Sequence, residues 1–301
     1  MHSIEIVGTK IVLQYPENGT EFNREQLLSF SRLMLLLNTD LITYDDFKVR
    51  LTYEFLNLRR SADLSLPENK EIVENVYLIS QFVDAYFSEK REDGKAIRVV
   101  EMQFYNQVLP EVKIGNRTYY GPDSALLNTK YGEYIQALTA FVDFSKSGKG
   151  HFLDTLIATL YRPENPDNDP ENPDTNYSAD RRREFNPELT EHYARSLKNL
   201  NADEKHAIYL FFASCQHFIA TNTSLDIGGG NTIDLSVLFK QEPGSNAVKS
   251  LGLVGTLYSI AESRVFGNVK EVAGQNTYDV LAYLVDQYHK MKKLKPKKKS
   301  A

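Results

Sequence analysis

The hydrophobic pattern of the N-terminal part of the chain mixes the period of strands with that of helices. Runs of β-type residues flank Gly8, fill residues 95–109 and surround the Gly-Asn pair at 115–116. Apolar residues that alternate with polar ones between turn residues are typical of short strands and hairpins. Stretches with a helical period separate these runs. The pattern therefore predicts a mixed α/β lobe over residues 1–122.

Helices are predicted at three places in this lobe, and each has a recognisable start. Asn23 and Thr43 are favourable N-cap residues, and Pro67 suits the first turn of a helix. Apolar residues then recur every three or four positions, which gives each helix one apolar face. The third helix is expected to run from Pro67 to Lys90, until the Asp-Gly pair at 93–94 breaks it.

From residue 123 onward the helical period replaces most of the β-type runs. Apolar residues keep recurring every three or four positions, and polar or glycine-rich segments separate the stretches. Helices are expected at residues 131–145, 151–163, 187–200, 202–222, 247–265 and 277–290. The glycines at 228–230 are expected to form a flexible joint. The pattern predicts an all-helical lobe over residues 123–289, and the fold class of the whole chain is α+β, predominantly helical.

The composition is that of a folded protein with an acidic body and a basic end. Hydrophobic residues make up 42% of the 301 residues and charged residues 25%, which allows a sizeable core. Residues 290–301 carry seven lysines and no acid, so we expect a disordered Lys-rich tail. The rest of the chain is therefore more acidic than the net charge of −5 suggests. This charge argues against nucleic acid as the main partner and leaves only transient contact through the tail.

The sequence carries no pattern expected of an exported or membrane protein. Its first residues, MHSIEIVGTK, lack the basic and apolar segments of a secretory leader. The most apolar window, residues 207–220, contains Gln216 and His217 and is too short to span a bilayer. We expect a cytoplasmic protein without a membrane partner.

The acidic, Pro- and Asn-rich loop at residues 164–180 is the first candidate for metal chemistry. Clustered carboxylates attract calcium, but an EF-hand template laid from Asp167 places Asn172 where glycine is required. It also places Ser178 where a bidentate glutamate is required. We therefore interpret the loop as a variable polar insertion between two helices. The three arginines at 181–183 can pair with this loop, bind an acidic partner segment or form a solvated face.

Histidine and cysteine positions form no recognisable catalytic or metal site. His206 and His217 are eleven residues apart on one predicted helix, or about 16 Å, so they cannot chelate one metal ion as a pair. Cys215 lies in an apolar helical run, which favours a buried and unreactive thiol. The glycines at 228–230 lack the lysine of a phosphate-binding P-loop. We expect no catalytic residues, no cofactor and no metal.

Several phrases in the C-terminal half resemble tailed-phage proteins of the tail-assembly-chaperone kind. These phrases are YGEYI at residues 131–135, LIATLYRP at 156–163, the Phe-rich AIYLFFA at 207–213 and FGNV at 266–269, before a last amphipathic helix. The resemblance covers residues 128–290. It implies a protein without catalytic activity that binds an apolar, helical tail component, such as the tape-measure protein, during assembly.

Such a partner suggests which side chains make the contact. Arg162 can reach from the end of an apolar helix to an acidic group of the partner. Phe and Tyr side chains on amphipathic helices suit helix-in-groove recognition. The predicted partner-binding residues are Tyr161, Arg162, Phe211, Phe212, Tyr283 and Tyr288. The alternative is that residues 161–163 simply end a core helix and pin the acidic loop.

Two other functions stay open at the level of the sequence. The protein could be a structural virion or neck/tail protein that stays in the particle. It could also be an enzyme whose site assembles from residues far apart in the chain. The candidate residues for such a site are His151, Asp154, His192 and Cys215.

Overall fold

The computed structural model describes residues 1–6, 8–59, 63, 65–92, 94–166, 180–239 and 252–294. Helices predominate and the strands are short, so the predicted α+β fold class is confirmed. The chain divides into two units. Unit 1 consists of Met1–Leu109 and Asn201–Ser214, and unit 2 of Pro110–Leu200 and Cys215–Ala301. The first boundary therefore falls after residue 109 rather than after residue 122, and part of a later helix belongs to unit 1.

Unit 1 combines β-hairpins with helices. Its described elements are β1 (His2–Glu5), β2 (Val12–Tyr15), α1 (Arg24–Asn38), α2 (Tyr44–Phe55), α3 (Pro67–Ile79), β3 (Phe87–Glu92) and β4 (Lys95–Val100). β1 pairs with β2 and β3 pairs with β4, both antiparallel. The predicted helix starts are confirmed. Asn23 forms a capping box with Gln26, and the Thr43 hydroxyl accepts a hydrogen bond from the Asp46 amide.

The helix α3 is shorter than its hydrophobic period predicts. It ends at Ile79, a 3₁₀ segment continues to Tyr86, and β3 follows instead of further helical turns. Gly94 has a φ of 79°, and Glu92 pairs directly with Lys95. A two-residue hairpin turn requires such a positive φ, and an Asp-Gly sequence is a strong signal for it. The turn chemistry outweighs the helical period of the residues before it.

The core of unit 1 is a cluster of aromatic rings centred on Phe22. Its ring meets those of Phe30, Phe55, Tyr86 and Phe104 edge-on, with ring centroids 5.0 to 5.7 Å apart. All five side chains are buried. Such edge-on pairs contribute about 0.5–1.5 kcal/mol each beyond the burial of their surface. Aromatic packing therefore holds the elements of unit 1 together.

Unit 2 contains a small sheet and most of the remaining helices. Its described elements are β5 (Glu111–Ile114), β6 (Arg117–Tyr120), α4 (Tyr131–Ser147), α5 (Gly150–Leu160), β7 (Arg162–Pro163), α6 (Pro187–Leu197), the C-terminal part of α7 (Ala202–Thr221), β8 (Leu225–Asp226), β9 (Thr232–Ile233), α8 (Gly252–Ser263), α9 (Val269–Ala273) and α10 (Thr277–Leu294). β6 lies between β5 and β7 in an antiparallel sheet. The predicted hairpin around residues 115–116 is confirmed, as is the position of Pro187 in the first turn of its helix.

The sequence predicts an all-helical region after residue 122, but the structure contains short strands there. β7 adds to the sheet of β5 and β6, and β8 pairs with β9 in a small hairpin. The glycines at 228–230 have φ values between 64° and 90°, and they connect β8 to β9 instead of forming a flexible joint. α9, which Asn268 caps, is a further element without a predicted counterpart. These elements are too short to leave a periodic signal.

The C-terminal helix α10 is anchored at its start and extends beyond its predicted end. The hydroxyls of Thr129 and Thr277 are 3.1 Å apart, and the Thr277 amide donates to the Thr129 carbonyl at 3.0 Å. α10 runs to Leu294, so residues 290–294, which the sequence predicts to be part of a disordered tail, are helical. The rest of the predicted tail, 295–301, lies outside the described residues, as does the predicted start of a helix at 247–251.

Candidate partner-binding groove

An open groove of about 1120 Å³ runs along one face of α4 in unit 2. The α4 residues that line it are Gly132, Ile135, Gln136, Thr139, Ala140 and Asp143. They recur every three or four positions, so they form one stripe on the helix. The stripe covers about 17 Å of helix length at 1.5 Å per residue. We call this feature the α4 groove.

Two walls flank the stripe of α4. One wall combines the start of α5, which contributes Phe152, with residues 183–189 at the start of α6. The other wall comes from α8 and α9 and includes Leu257 and Ala273. The Gln136 side chain donates a hydrogen bond to the Thr190 hydroxyl at 2.9 Å, which fixes α6 beside α4.

Small side chains keep the floor of the groove open. A Cβ added to Gly132 would lie 3.0 Å from the Ala273 Cβ, so α4 and α9 approach closely at one end. Further along, Thr139 and Ala140 present short side chains between the walls. The floor of the α4 groove therefore consists mainly of short side chains, and the groove is open rather than enclosed.

The charges on the rim of the groove are unevenly distributed. Lys130 and Lys270 lie at the end where α4 meets α9, and neither has an ion pair to the described residues. Asp143 lies about 20 Å further along α4, thirteen residues from Lys130. Glu184 and Glu188 line the wall at α6. One end of the groove is thus cationic, and the remaining rim carries Asp143, Glu184 and Glu188 together with Arg183.

A buried cluster of charges fixes the segments that form the wall at α6. The fully buried carboxylate of Glu133 on α4 lies 2.9 Å from Arg162 Nη1 and 2.6 Å from Arg182 Nη1. Arg162 also donates to the backbone carbonyls of Thr159 and Arg183, at 2.5 and 2.7 Å. Both arginines are buried, so their charges depend on these partners.

Arg182 has a second carboxylate partner in this cluster. Its guanidinium lies 2.8 Å from Asp180 and also donates to the carbonyls of Leu160 and Asn128. Burial disfavours the charged form of Arg182, but Glu133 and Asp180 more than compensate, so its pKa is raised. Glu133, Arg162, Asp180 and Arg182 together form what we call the charge cluster.

The charge cluster holds the two ends of the acidic loop next to each other. Glu164 and Arg182 form an antiparallel bridge. The Asn165 amide donates to the Arg181 carbonyl at 2.9 Å, and the Arg183 amide donates to the Pro163 carbonyl at 2.8 Å. We call this pairing of residues 163–165 with 181–183 the loop clamp. The loop residues considered for calcium, from 167 to 178, lie outside the described residues.

Four of the six predicted partner-binding residues are buried. Tyr161, Arg162, Phe211 and Phe212 each expose 3% or less of their surface. They cannot serve as exposed anchors in this structure, because their side chains pack into the interior. Arg162 does not reach towards a partner but pairs with Glu133 inside the chain. The alternative interpretation of residues 161–163, a helix end that pins the loop, agrees with this geometry.

The other two predicted residues lie on α10 and are half-buried. The Tyr283 hydroxyl is within hydrogen-bond distance of the Ser263 hydroxyl, at 3.2 Å, and its ring meets Phe266 edge-on. Tyr288 contacts Lys292 one turn further along the helix. Neither tyrosine lines the α4 groove. The structure thus separates these two positions from the groove.

The residues considered for an enzyme site occupy different environments. His151 lines the α4 groove, whereas His192 lies on α6 at a separate, smaller pocket. Cys215 is buried, and burial raises the pKa of its thiol well above the usual range, which disfavours the nucleophilic thiolate. Within the described residues, no group of three or more His, Cys, Asp or Glu side chains is arranged to hold a metal ion.

Comparisons with known proteins give no indication of function, so the α4 groove is the main indication. No protein-family model, no curated protein and no solved structure matches this chain. Of the helices that the structure describes, none combines the length and the apolar character needed to cross a bilayer. The groove is not evident from the hydrophobic pattern, although the small residues at 132, 139 and 140 lie on one stripe of a predicted helix.

Proposed function

We propose that this protein is a non-enzymatic binding protein that holds an amphipathic helix of a partner protein in the α4 groove. In line with the sequence resemblance, we assign it to phage or prophage tail assembly in the cytoplasm of a bacterial host. The partner would then be a long helical tail component of the tape-measure type. The shape of the α4 groove is the observation that carries this proposal.

The size and shape of the groove favour a polypeptide over a small molecule. Small-molecule sites usually enclose about 300–1,000 Å³, and this groove is slightly larger and is not enclosed. Its floor of short side chains leaves room for the larger side chains of a second helix. Helices that bind in such grooves insert apolar residues spaced three or four positions apart. Ile135, Phe152 and Leu257 are apolar contacts for them.

The cationic end of the groove specifies the chemistry of the partner further. Lys130 and Lys270 have no counter-charge among the described residues, so a partner helix with acidic residues at one end would complement them. Charge complementarity of this kind fixes the orientation of the helix and raises the association rate more than the affinity. The groove is therefore expected to bind its helix in one direction.

Co-expression with the helical tail protein encoded in the same gene cluster tests the proposal. We expect a stable complex, and we expect Thr139→Trp to weaken it at least tenfold in a titration, because the indole fills the floor. Ser145→Trp on the same helix is the matched control, since Ser145 is exposed and lies outside the groove. Equal binding by both variants, or no complex with any tail component, would contradict the proposal.

Composition of the finished particle separates an assembly factor from a structural protein. A protein that acts only during assembly is absent from purified particles, whereas a neck or tail protein stays in them. Mass spectrometry of the particles therefore decides between these two roles. Detection of this chain at a fixed copy number would replace the assembly role with the structural one.

A further inference from the structure

A second pocket, of about 390 Å³, lies in unit 2 between the three-stranded sheet and α6. It is lined by Arg117, Thr118, Tyr119, Pro163, Arg183, His192 and Tyr193. The residues come from β6, from β7, from the segment before α6 and from α6 itself. Segments from three separate parts of the sequence, residues 117–119, 163 and 183–193, thus converge on one small site. We call it the arginine pocket.

The arginine pocket is cationic, and its charges are not neutralised by the described residues. Its lining includes two arginines and a histidine but no acidic side chain. The guanidinium groups of Arg117 and Arg183 have no ion pair or hydrogen bond to the described part of the chain. Their neighbours differ: Arg181 pairs with Glu164 at 2.8 Å, and Arg182 belongs to the charge cluster. Two unpaired guanidinium groups at one pocket favour an anionic ligand.

The backbone that carries these side chains is firmly held. Tyr119 on β6 pairs with Pro163 on β7, and the Arg183 amide donates to the Pro163 carbonyl at 2.8 Å. The Arg183 carbonyl accepts a hydrogen bond from Arg162 of the charge cluster at 2.7 Å. The positions from which the pocket residues project are therefore fixed before any ligand binds, which lowers the entropic cost of binding.

Two aromatic side chains lie beside the cationic groups. Tyr119 and Tyr193 are both buried, and their ring centroids are 6.5 Å apart in an edge-on arrangement. The pocket volume falls within the usual range of small-molecule sites, about 300–1,000 Å³, and exceeds what an inorganic anion fills. The volume therefore leaves room for an organic group attached to the anion.

We propose that the arginine pocket binds a small organic phosphate monoester. Arg117 and Arg183 donate to the phosphate oxygens, and Thr118 and His192 offer further donors at the same end. The organic group takes up the pocket volume that the phosphate leaves free, next to Tyr119 and Tyr193. Planar guanidinium groups match the oxygen geometry of phosphate, and a dianion gains more from two of them than a carboxylate does. Arg183 borders both this pocket and the α4 groove, whereas Arg117 lines the arginine pocket alone.

Titration calorimetry on the full-length protein at constant ionic strength tests the ligand class. The probes are phenyl phosphate, inorganic phosphate and benzoate. We expect phenyl phosphate to bind at least tenfold more tightly than benzoate, and also more tightly than inorganic phosphate. Equal affinity for benzoate would overturn the choice of phosphate, and equal affinity for inorganic phosphate would overturn the organic ester. Absence of saturable binding at millimolar phenyl phosphate would overturn the whole proposal.

Charge-removing variants test the position of the site. Arg117→Gln and Arg183→Gln are each expected to weaken the binding of phenyl phosphate at least tenfold. Arg195→Gln is the matched control, because Arg195 is an exposed arginine of α6 that lies outside the pocket. An equal loss in all three variants would show that general electrostatic attraction, and not the pocket, causes the binding. Both pocket arginines are exposed, so folding is expected to be unaffected.

Discussion

Unit 1 and unit 2 stabilise their interiors with different chemistry. The centre of unit 1 consists of aromatic rings around Phe22, which contact each other edge-on. Unit 2 buries aromatic side chains as well, but it also buries a glutamate between two arginines. An aromatic core tolerates a change of similar size and shape, because packing is distributed over many contacts. A buried charge has no such tolerance, because each member depends on its partners.

The charge cluster also differs from the aromatic core in what it contributes. A buried ion pair adds little net stability compared with a well-packed apolar group, because both charges lose their hydration. Its specific effect is to define which backbone segments meet. Arg162 and Arg182 belong to opposite ends of the acidic loop, and both require the same carboxylate on α4. The cluster therefore determines where the chain re-enters unit 2 before α6.

The largest expected effect comes from removing the central charge of the cluster. Glu133→Gln keeps the shape of the side chain but leaves two buried arginines without this counter-charge. We expect unit 2 to lose about 3–5 kcal/mol of unfolding free energy. Hydrogen exchange of the α4 amides measures this loss of unfolding free energy in unit 2 separately from unit 1. Glu191→Gln, which removes an exposed carboxylate paired with Arg195, is expected to cause no measurable loss. A loss below about 1 kcal/mol for Glu133→Gln would contradict the contrast between the units.

An intermediate effect is expected from acid, and it concerns unit 1. His206 lies on the part of α7 that belongs to unit 1, its Nδ1 is buried without a hydrogen-bond partner, and burial lowers its pKa from 6.5 to about 4. The unfolded chain therefore binds the proton first. The stabilising contribution is complete above pH 6.5 and is lost as the pH falls towards 4.

The acid effect has a direct test in a variant that cannot titrate. Each pKa unit corresponds to about 1.4 kcal/mol, so the loss of unfolding free energy in unit 1 is on the order of 2–3 kcal/mol. His206→Phe retains a ring beside Tyr209 and should flatten the dependence of unit 1 on pH between 7 and 4. Denaturant unfolding at several pH values measures the slope. Identical slopes in both proteins would contradict the assignment to His206.

The smallest effect is expected in the aromatic core. Phe30→Leu replaces a fully buried ring by an apolar group of similar size, and we expect a loss of about 1–1.5 kcal/mol. Phe82→Leu, at a ring that is 38% exposed, should change stability by less than about 0.5 kcal/mol. Unfolding followed by near-UV circular dichroism compares the two. A loss in Phe30→Leu as large as that in Glu133→Gln would remove the distinction between the two interiors.

Local signals in the sequence were sufficient for most helix starts and for two of the hairpins. Asn23, Thr43 and Pro187 act through the backbone groups next to them, so their effect does not depend on the rest of the fold. The error at β3 has a different origin. The residues before Gly94 have an apolar spacing that suits a helix, and the two-residue turn overrides it.

The candidate sites were harder to predict because they depend on long-range contacts. Arg181, Arg182 and Arg183 are adjacent and identical in type, yet one pairs with a surface glutamate, one is buried and one lines the arginine pocket. No pattern of a single segment distinguishes them. The burial of Arg162 likewise follows from the position of Glu133, 29 residues away in sequence.

The loop clamp makes unit 2 permissive to change at one place on its surface. Because the chain leaves at Glu164 and returns at Arg182 as bridged neighbours, the distance between these ends is set by the protein and not by the loop. The entropic cost of closing a loop grows only slowly, by about 0.6 kcal/mol for each doubling of its length. The length and the sequence of this segment can therefore vary while the α4 groove and the arginine pocket stay intact. For the experimenter, the same property makes the segment a natural position for an inserted epitope or fluorophore.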